Sequence, residues 1–168
     1  NFIDFFTFSY TNLAKILIPN NVIKIAFGCF FHCCNLTSVS FEKDSNLIEI
    51  DDYAFSSTKI NSISIPKSVK RIGNCCFLNC HNLETVTFGD DTNICQIGFQ
   101  CFNGTKIIES KLNEIYQKVS YSQIYFIESF NKENITSVTM PTGITTIERN
   151  AFKGCINLKK VEIQKDSN

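Results

Sequence analysis

Nine cysteines, two histidines and two adjacent aspartate pairs are the residues of this chain that could carry chemistry. A cysteine beside a histidine can act as nucleophile and base. Clustered Cys and His can hold zinc, and paired carboxylates can divide acid and base roles. The spacing argues against each. His32, Cys33 and Cys34 are consecutive and cannot all aim at one ion, and no C-x-x-C supports them. His32 and His81 stand at non-equivalent places, so a Cys–His dyad would need Cys34 or Cys80 released from a turn. Asp51-Asp52 and Asp90-Asp91 read as solvated loop charge, because adjacent side chains diverge. Neither G-x-x-x-x-G-K-[ST] nor G-x-G-x-x-G occurs to cradle a phosphate. The expectation is a non-enzymatic chain with no catalytic residue, no cofactor and no metal; a cysteine hydrolase is the poorer alternative.

The elements that hold these residues repeat. Phe8, Phe30, Phe55, Phe77, Phe102, Phe130 and Phe152 recur at separations of 22, 25, 22, 25, 28 and 22 residues. Each follows a small residue, such as Ala54 or Cys76. A period in the twenties indicates a solenoid, in which one short unit stacks on copies of itself. After each anchor comes a turn and an L-x-x-L-x-L segment, as in Leu36/Val39/Phe41 and Ile60/Ile63/Ile65. Apolar residues two apart point to one side of an extended strand, so these strands should stack in parallel as one long sheet. A second apolar pair, such as Leu47/Ile50 or Val69/Ile72, leads back to the next anchor. Pro19, Pro66 and Pro141 each follow a strand's last inward residue, where a missing amide is tolerated.

The turns alternate between F-x-x-T-x-L (Phe8, Phe55, Phe102) and F-x-x-C-x-x-L (Phe30, Phe77, Phe152). That register accounts for most thiols. Cys29, Cys76 and Cys101 share the small column before the anchor. Cys33, Cys80 and Cys155 share a column with Thr11, Thr58 and Thr105, where a compact donor suits the turn. Cys76 and Cys101 lie in one column of adjacent coils, close enough for a bridge, but parallel Cβ directions and an odd count favour thiols. A single Cys76–Cys101 disulfide stays open.

One unit departs from the template over 108–129. Leu112, Ile115, Tyr116 and Val119 have helical spacing, yet a strand over 107–112 followed by a bulging loop or short helix is favoured. Outward strand positions form a short, uncharged carpet that includes Ser62, Ser64, Thr85 and Thr87. Such a surface lacks the aromatic anchors of interface hot spots. Tyr116, Tyr121 and Tyr125 supply them nearby, and these seven residues are the candidate partner-binding set.

Sixteen basic residues balance sixteen acidic ones, so no overall field draws the chain to nucleic acid or an anionic membrane. No run of eighteen apolar residues suggests a span. The apolar opening Asn1–Phe8 lacks a basic flank and already fits the repeat, so it reads as structure rather than a signal peptide. The whole chain, 1–168, reads as one segment of about seven coils cut from a longer array.

The stretch from Ile63-Ser64-Ile65-Pro66 through Gly73-Asn74-Cys75-Cys76-Phe77 to Leu83-Glu84-Thr85-Val86-Thr87-Phe88 resembles the BspA-like leucine-rich repeat. Met140 to Ile163 fits equally well, with Ala151-Phe152 and Cys155 in place. The resemblance implies a leucine-rich repeat solenoid with a parallel β-sheet on the concave face and turns, short irregular or 3-10/helical segments on the convex face. It also implies a cell-surface or extracellular protein used in adhesion, with a protein or glycan partner. An intracellular, cytoplasmic scaffold of the same fold is the alternative, favoured by thiols that read as reduced.

Overall fold

Each coil packs its apolar residues inward by alternating two kinds of strand. The computed structural model describes residues 1–89, 94–117, 136–140 and 155–163. The strands run β1 (Phe2–Ile3), β2 (Lys15–Ile18), β3 (Lys24–Ile25), β4 (Ser38–Phe41), β5 (Glu49–Ile50) and β6 (Ser62–Ile65). Then come β7 (Arg71–Ile72), β8 (Thr85–Phe88), β9 (Gln96–Ile97), the helix α1 (Glu109–Gln117), β10 (Ser137–Met140) and β11 (Lys160–Ile163). All pairings are parallel. The chain is thus a parallel leucine-rich repeat solenoid.

The anchors form its spine. Phe8, Phe30, Phe55, Phe77 and Phe102 stack with centroids 5.2, 5.1, 5.6 and 5.5 Å apart and planes within 11° of parallel. Phe30, Phe55 and Phe77 are fully buried, beside Leu36, Leu47, Ile60 and Ile72. Burying a ring of this size contributes ~1.5–3 kcal/mol, and offset stacking adds about 0.5–1.5 kcal/mol. Phe130, Phe152 and Asp90-Asp91 lie outside the described residues, and of the expected seventh coil only 155–163, with β11, is described.

The continuous ladder is not on the expected side. Among the described residues the two-residue strands β1-β3-β5-β7-β9 hydrogen-bond across five coils, whereas the longer strands pair only two by two, as β2·β4, β6·β8 and β10·β11. Proline supplies a physical reason. The amides of Glu42 and Gly89 donate to the preceding coil at Ile18 O (3.0 Å) and Ile65 O (3.2 Å). Pro66 stands in that column with no N–H to give, so β6 cannot close on β4 in the same way. The long-strand face is therefore built in pairs.

The thiols follow the same pairing. Thr11 and Thr58 hydroxyls donate to their own anchors' carbonyls, Phe8 O and Phe55 O, at 2.8 and 2.9 Å. Cys33 and Cys80 thiols reach back to those same oxygens, at 2.9 and 3.1 Å. One T-type and one C-type coil thus share an acceptor, and the repeating body is a two-coil doublet.

The third side of each coil is the turn around the anchor. Amides two before, at and two after the anchor donate to the next coil, as Phe6→Phe27 O, Phe8→Cys29 O and Tyr10→Phe31 O. The flanking residues need left-handed backbone for this: Phe6, Gly28, Tyr53, Cys75 and Gln100 on one side, and Tyr10, His32, Ser57, Asn79 and Gly104 on the other.

One stretch corrects the sequence reading. Residues 109–117 are helical, not a strand over 107–112. Leu112 and Ile115 are buried on one face, while Lys111 pairs with Glu114 on the exposed one. Helical spacing wins because it buries both apolar residues and closes an i,i+3 ion pair.

Candidate functional site

Strand alternation brings four of the expected site residues together. In the register of β6 and β8, Ser62 lies opposite Thr85 and Ser64 opposite Thr87, with Ile63, Ile65, Val86 and Phe88 turned inward. All four hydroxyl side chains are exposed. Thr87 Oγ1 bonds Ser64 Oγ at 3.0 Å, and Ser62 Oγ donates to Asn61 Oδ1 at 3.3 Å. The carpet ends at a groove of about 530 Å³ between β8 and α1. Val86, Phe88, Ile107 and Ile115 give it apolar walls, and Glu84 and Lys106, 3.5 Å apart, give it a charged lip. Tyr116 belongs to α1, whereas Tyr121 and Tyr125 lie outside the described residues.

Two features escaped the sequence. The first is ionic. Lys24 lies 3.2 and 2.9 Å from Glu49 and Asp51, and Arg71 binds Glu49, Asp51 and Asp52. Asp52 also accepts the Asn74 amide at 2.8 Å. Asp51-Asp52 is therefore a cross-coil tie on the short-strand ladder, not solvated loop charge. Burial alone would raise the Asp51 carboxyl, but hydrogen bonds from Lys24, the Asp52 amide and Arg71 outweigh it and hold the group below its ordinary value. Hydrogen bonding to Asp51, opposed by burial, raises Lys24; Glu49 adds to the rise. Equivalent positions in adjacent coils carry Lys24, Glu49 and Arg71, so the register held the signal.

The second is aromatic. Phe6 packs on Phe27 at 5.3 Å, Tyr10 on Phe31 at 5.6 Å and on His32 at 5.2 Å, and Phe27 on Tyr53 at 5.6 Å. Phe6 and Tyr10 are 52% and 71% exposed, while Phe27, Phe31, His32 and Tyr53 are half-buried, so the rings form a ridge along the turn side. Phenylalanine or tyrosine in columns that elsewhere take Gly28, Asn79 or Gly104 was the available sign.

The candidate chemistry does not assemble. Burial pushes the Cys29 thiol up to about 12 and Cys80 to about 11, and raises Cys76, which also hydrogen-bonds Cys101. These are protonated donors, unlike the low-pKa thiols of catalytic sites. Exposed Cys34 lies 3.7 Å from His32 Nδ1, whose ring stacks on Tyr10. His81 Nδ1 donates to Gly104 O at 2.9 Å. Among the described residues no group of three or more His, Cys, Asp or Glu could hold a metal, and no helix is long and apolar enough to cross a membrane.

Comparison with known proteins agrees with this geometry. The pneumococcal vaccine antigen PcpA is similar in fold, with a TM-score of 0.54 and 22% identity over 90% of this chain and 31% of that one. A leucine rich cell surface protein from Faecalibacterium prausnitzii gives 0.43 and 19% over 92% and 60%. A leucine-rich repeat protein from Eubacterium ventriosum gives 0.45 and 15% over 92% and 55%. The chain spans between 31% and 60% of the length of these structures. No curated protein matches it. The BspA type leucine rich repeat region matches in 6 copies, over residues 1–129 and 126–168. With anchors stacked and strands parallel among the described residues, and that repeat matched along the whole length, this chain is a member of the BspA-type leucine-rich repeat family.

Proposed function

We propose that the chain is a non-enzymatic recognition module of a cell-surface protein, holding an extended protein or glycan partner along its long-strand face. The observation that carries this reading is the level, exposed row Ser62, Ser64, Thr85 and Thr87 running into the groove beside β8. Short hydroxyl side chains let a ligand backbone or sugar approach closely, and the groove offers an apolar seat of ordinary ligand size. Tyr116, Tyr121 and Tyr125 are proposed as the aromatic anchors at that end, in an array of seven coils belonging to a longer protein. Leucine-rich repeat proteins of this type are typically binding modules, which supports a non-catalytic role.

The test uses the intact chain as bait for host-cell surface proteins and glycans. Replacing Ser64 and Thr87 with Lys should abolish capture, as should replacing the three tyrosines with Ala. Capture unchanged by both, in folded protein, would refute the assignment of the face. Surface labelling of intact source cells checks the location.

A second reading, an intracellular scaffold, is supported by the Cys33 and Cys80 thiols, whose S–H groups donate to main-chain oxygens. Such donors persist where thiols stay reduced. Absence of surface label would favour it.

A further inference from the structure

The groove beside β8 belongs to the long-strand face, so this inference rests on that face being the one that binds. We infer that the groove takes an extended segment of a partner protein, added along β8 as a parallel strand where the next strand of the repeat would lie.

The same edge one doublet earlier shows what fits there. β4 and β8 are equivalent strands, and β6 packs against β4 with Ile63 and Ile65 buried. The coil after β8 starts in the same way: Lys59 N donates to Leu36 O at 3.0 Å, and Lys106 N to Leu83 O at 2.9 Å. There the likeness ends. At Glu109 the chain turns into α1 instead of forming a strand, and among the described residues β8 pairs with β6 alone. The cost shows in the core column. Val39 is buried under β6, whereas its equivalent Val86 is only half-buried, as is Phe88. Both line the groove of about 530 Å³, with Ile107 and Ile115 across from them. A strand edge without a partner, floored by apolar side chains, is a template for another strand.

The walls state the chemistry of the occupant. Parallel pairing sets apolar residues two apart beside Val86 and Phe88, and small polar ones level with Thr85 and Thr87. Glu84 pairs with Lys106, and Lys111 with Glu114. The lips are therefore neutral and ask for an uncharged strand. A sugar fits less well, because its hydroxyls would meet Val86, Phe88, Ile107 and Ile115 and lose their hydrogen bonds to water. A strand without proline also escapes the restraint that Pro66 places on β6.

The probe is a fluorescein-labelled heptapeptide carrying residues 59–65, the strand that covers β4, titrated into the full chain and followed by anisotropy. It should bind saturably. Ile63→Ser with Ile65→Ser in the peptide should weaken binding about tenfold or more. N-methylation of alternate amides should abolish binding in one phase and spare it in the other, since only one edge of an added strand meets β8. Val86→Thr in the chain, which keeps the branched shape, should weaken binding several-fold; if that variant fails to fold, the peptide variants decide alone. No saturable binding to the parent overturns the inference, whether nothing pairs there or the chain's own residues 118–135 cover the edge. Equal loss in both methylation phases overturns it too, as apolar adhesion without pairing. A chain that dimerises by light scattering and is split by the peptide would seat a second copy in the groove, and equally overturn it. Capture of host-cell ligands that still falls with Ser64→Lys and Thr87→Lys, beside a failed peptide titration, would remove the added strand and leave the face itself standing.

Discussion

Cys80 Sγ lies 3.3 Å from Thr58 Oγ1, and both donate to one carbonyl oxygen, that of Phe55. This is the junction where two coils become one doublet. Thr58→Val should cost about 1 kcal/mol, the net worth of a buried hydrogen bond. Cys80→Ala adds a small cavity. The double variant should lose more than the two single losses together, since it removes both side-chain donors from the Phe55 carbonyl. A urea double-mutant cycle reads that coupling directly, and strict additivity would mean the oxygen is not shared.

Phe77 is stacked between Phe55 and Phe102 and fully buried. Phe77→Ala should cost ~3–5 kcal/mol by equilibrium unfolding, as a ring lost from a packed interior leaves a cavity. A loss below about 1 kcal/mol would mean that the column collapses around the gap and does not set stability.

Among the described residues, Arg71 is the only cation that touches Glu49, Asp51 and Asp52 alike. Arg71→Met should destabilise the chain by roughly 1–3 kcal/mol, between the values for exposed and buried pairs, and added salt should narrow the difference. The acid limb has a definite sign. The folded Asp51 carboxyl sits below its ordinary value of 3.8, so its contribution is present above that pH and is lost as pH falls through the lower, folded value. Melting against pH should therefore show a steeper acid loss in the parent than in Arg71→Met.

The alkaline limb belongs to the thiols. Cys29 and Cys80 are pushed by burial from 9.0 to about 12 and about 11. The unfolded chain gives up those protons first, so stability is complete below pH 9.0 and declines as pH climbs toward the folded values. Cys29→Ala together with Cys80→Ser should flatten that decline in thermal melts. At neutral pH, alkylation should mark Cys34 before any of the buried thiols.

The anchors, the Thr/Cys column and the strand-exit prolines were legible because each recurs with the coil. The Phe stack and the donors to Phe8 and Phe55 follow the columns read from spacing alone. The short-strand ladder was not legible, since two residues such as Lys24-Ile25 are too few to show alternation. Arg71's carboxylates lie 19 to 22 residues upstream, visible only once coils are laid side by side. Helix α1 was misjudged because the repeat template outweighed the local spacing of Leu112 and Ile115. Of the candidate site, the Ser62/Thr85 and Ser64/Thr87 pairs were readable from strand period, while the ridge was hidden because rings near an anchor pass for interior residues.

Pairing of coils also constrains how such a chain can change length. Equivalent anchors Phe8, Phe55 and Phe102 are 47 residues apart, one T-type and one C-type unit together. Tandem duplication in steps of 47 keeps thiols such as Cys33 and Cys80 facing the carbonyl beneath them and Pro66 at its open seam. Gain or loss of a single coil would set threonine on threonine, leaving mismatched seams that neither neighbour could satisfy. Descent by doublets would leave alternate coils more alike than adjacent ones.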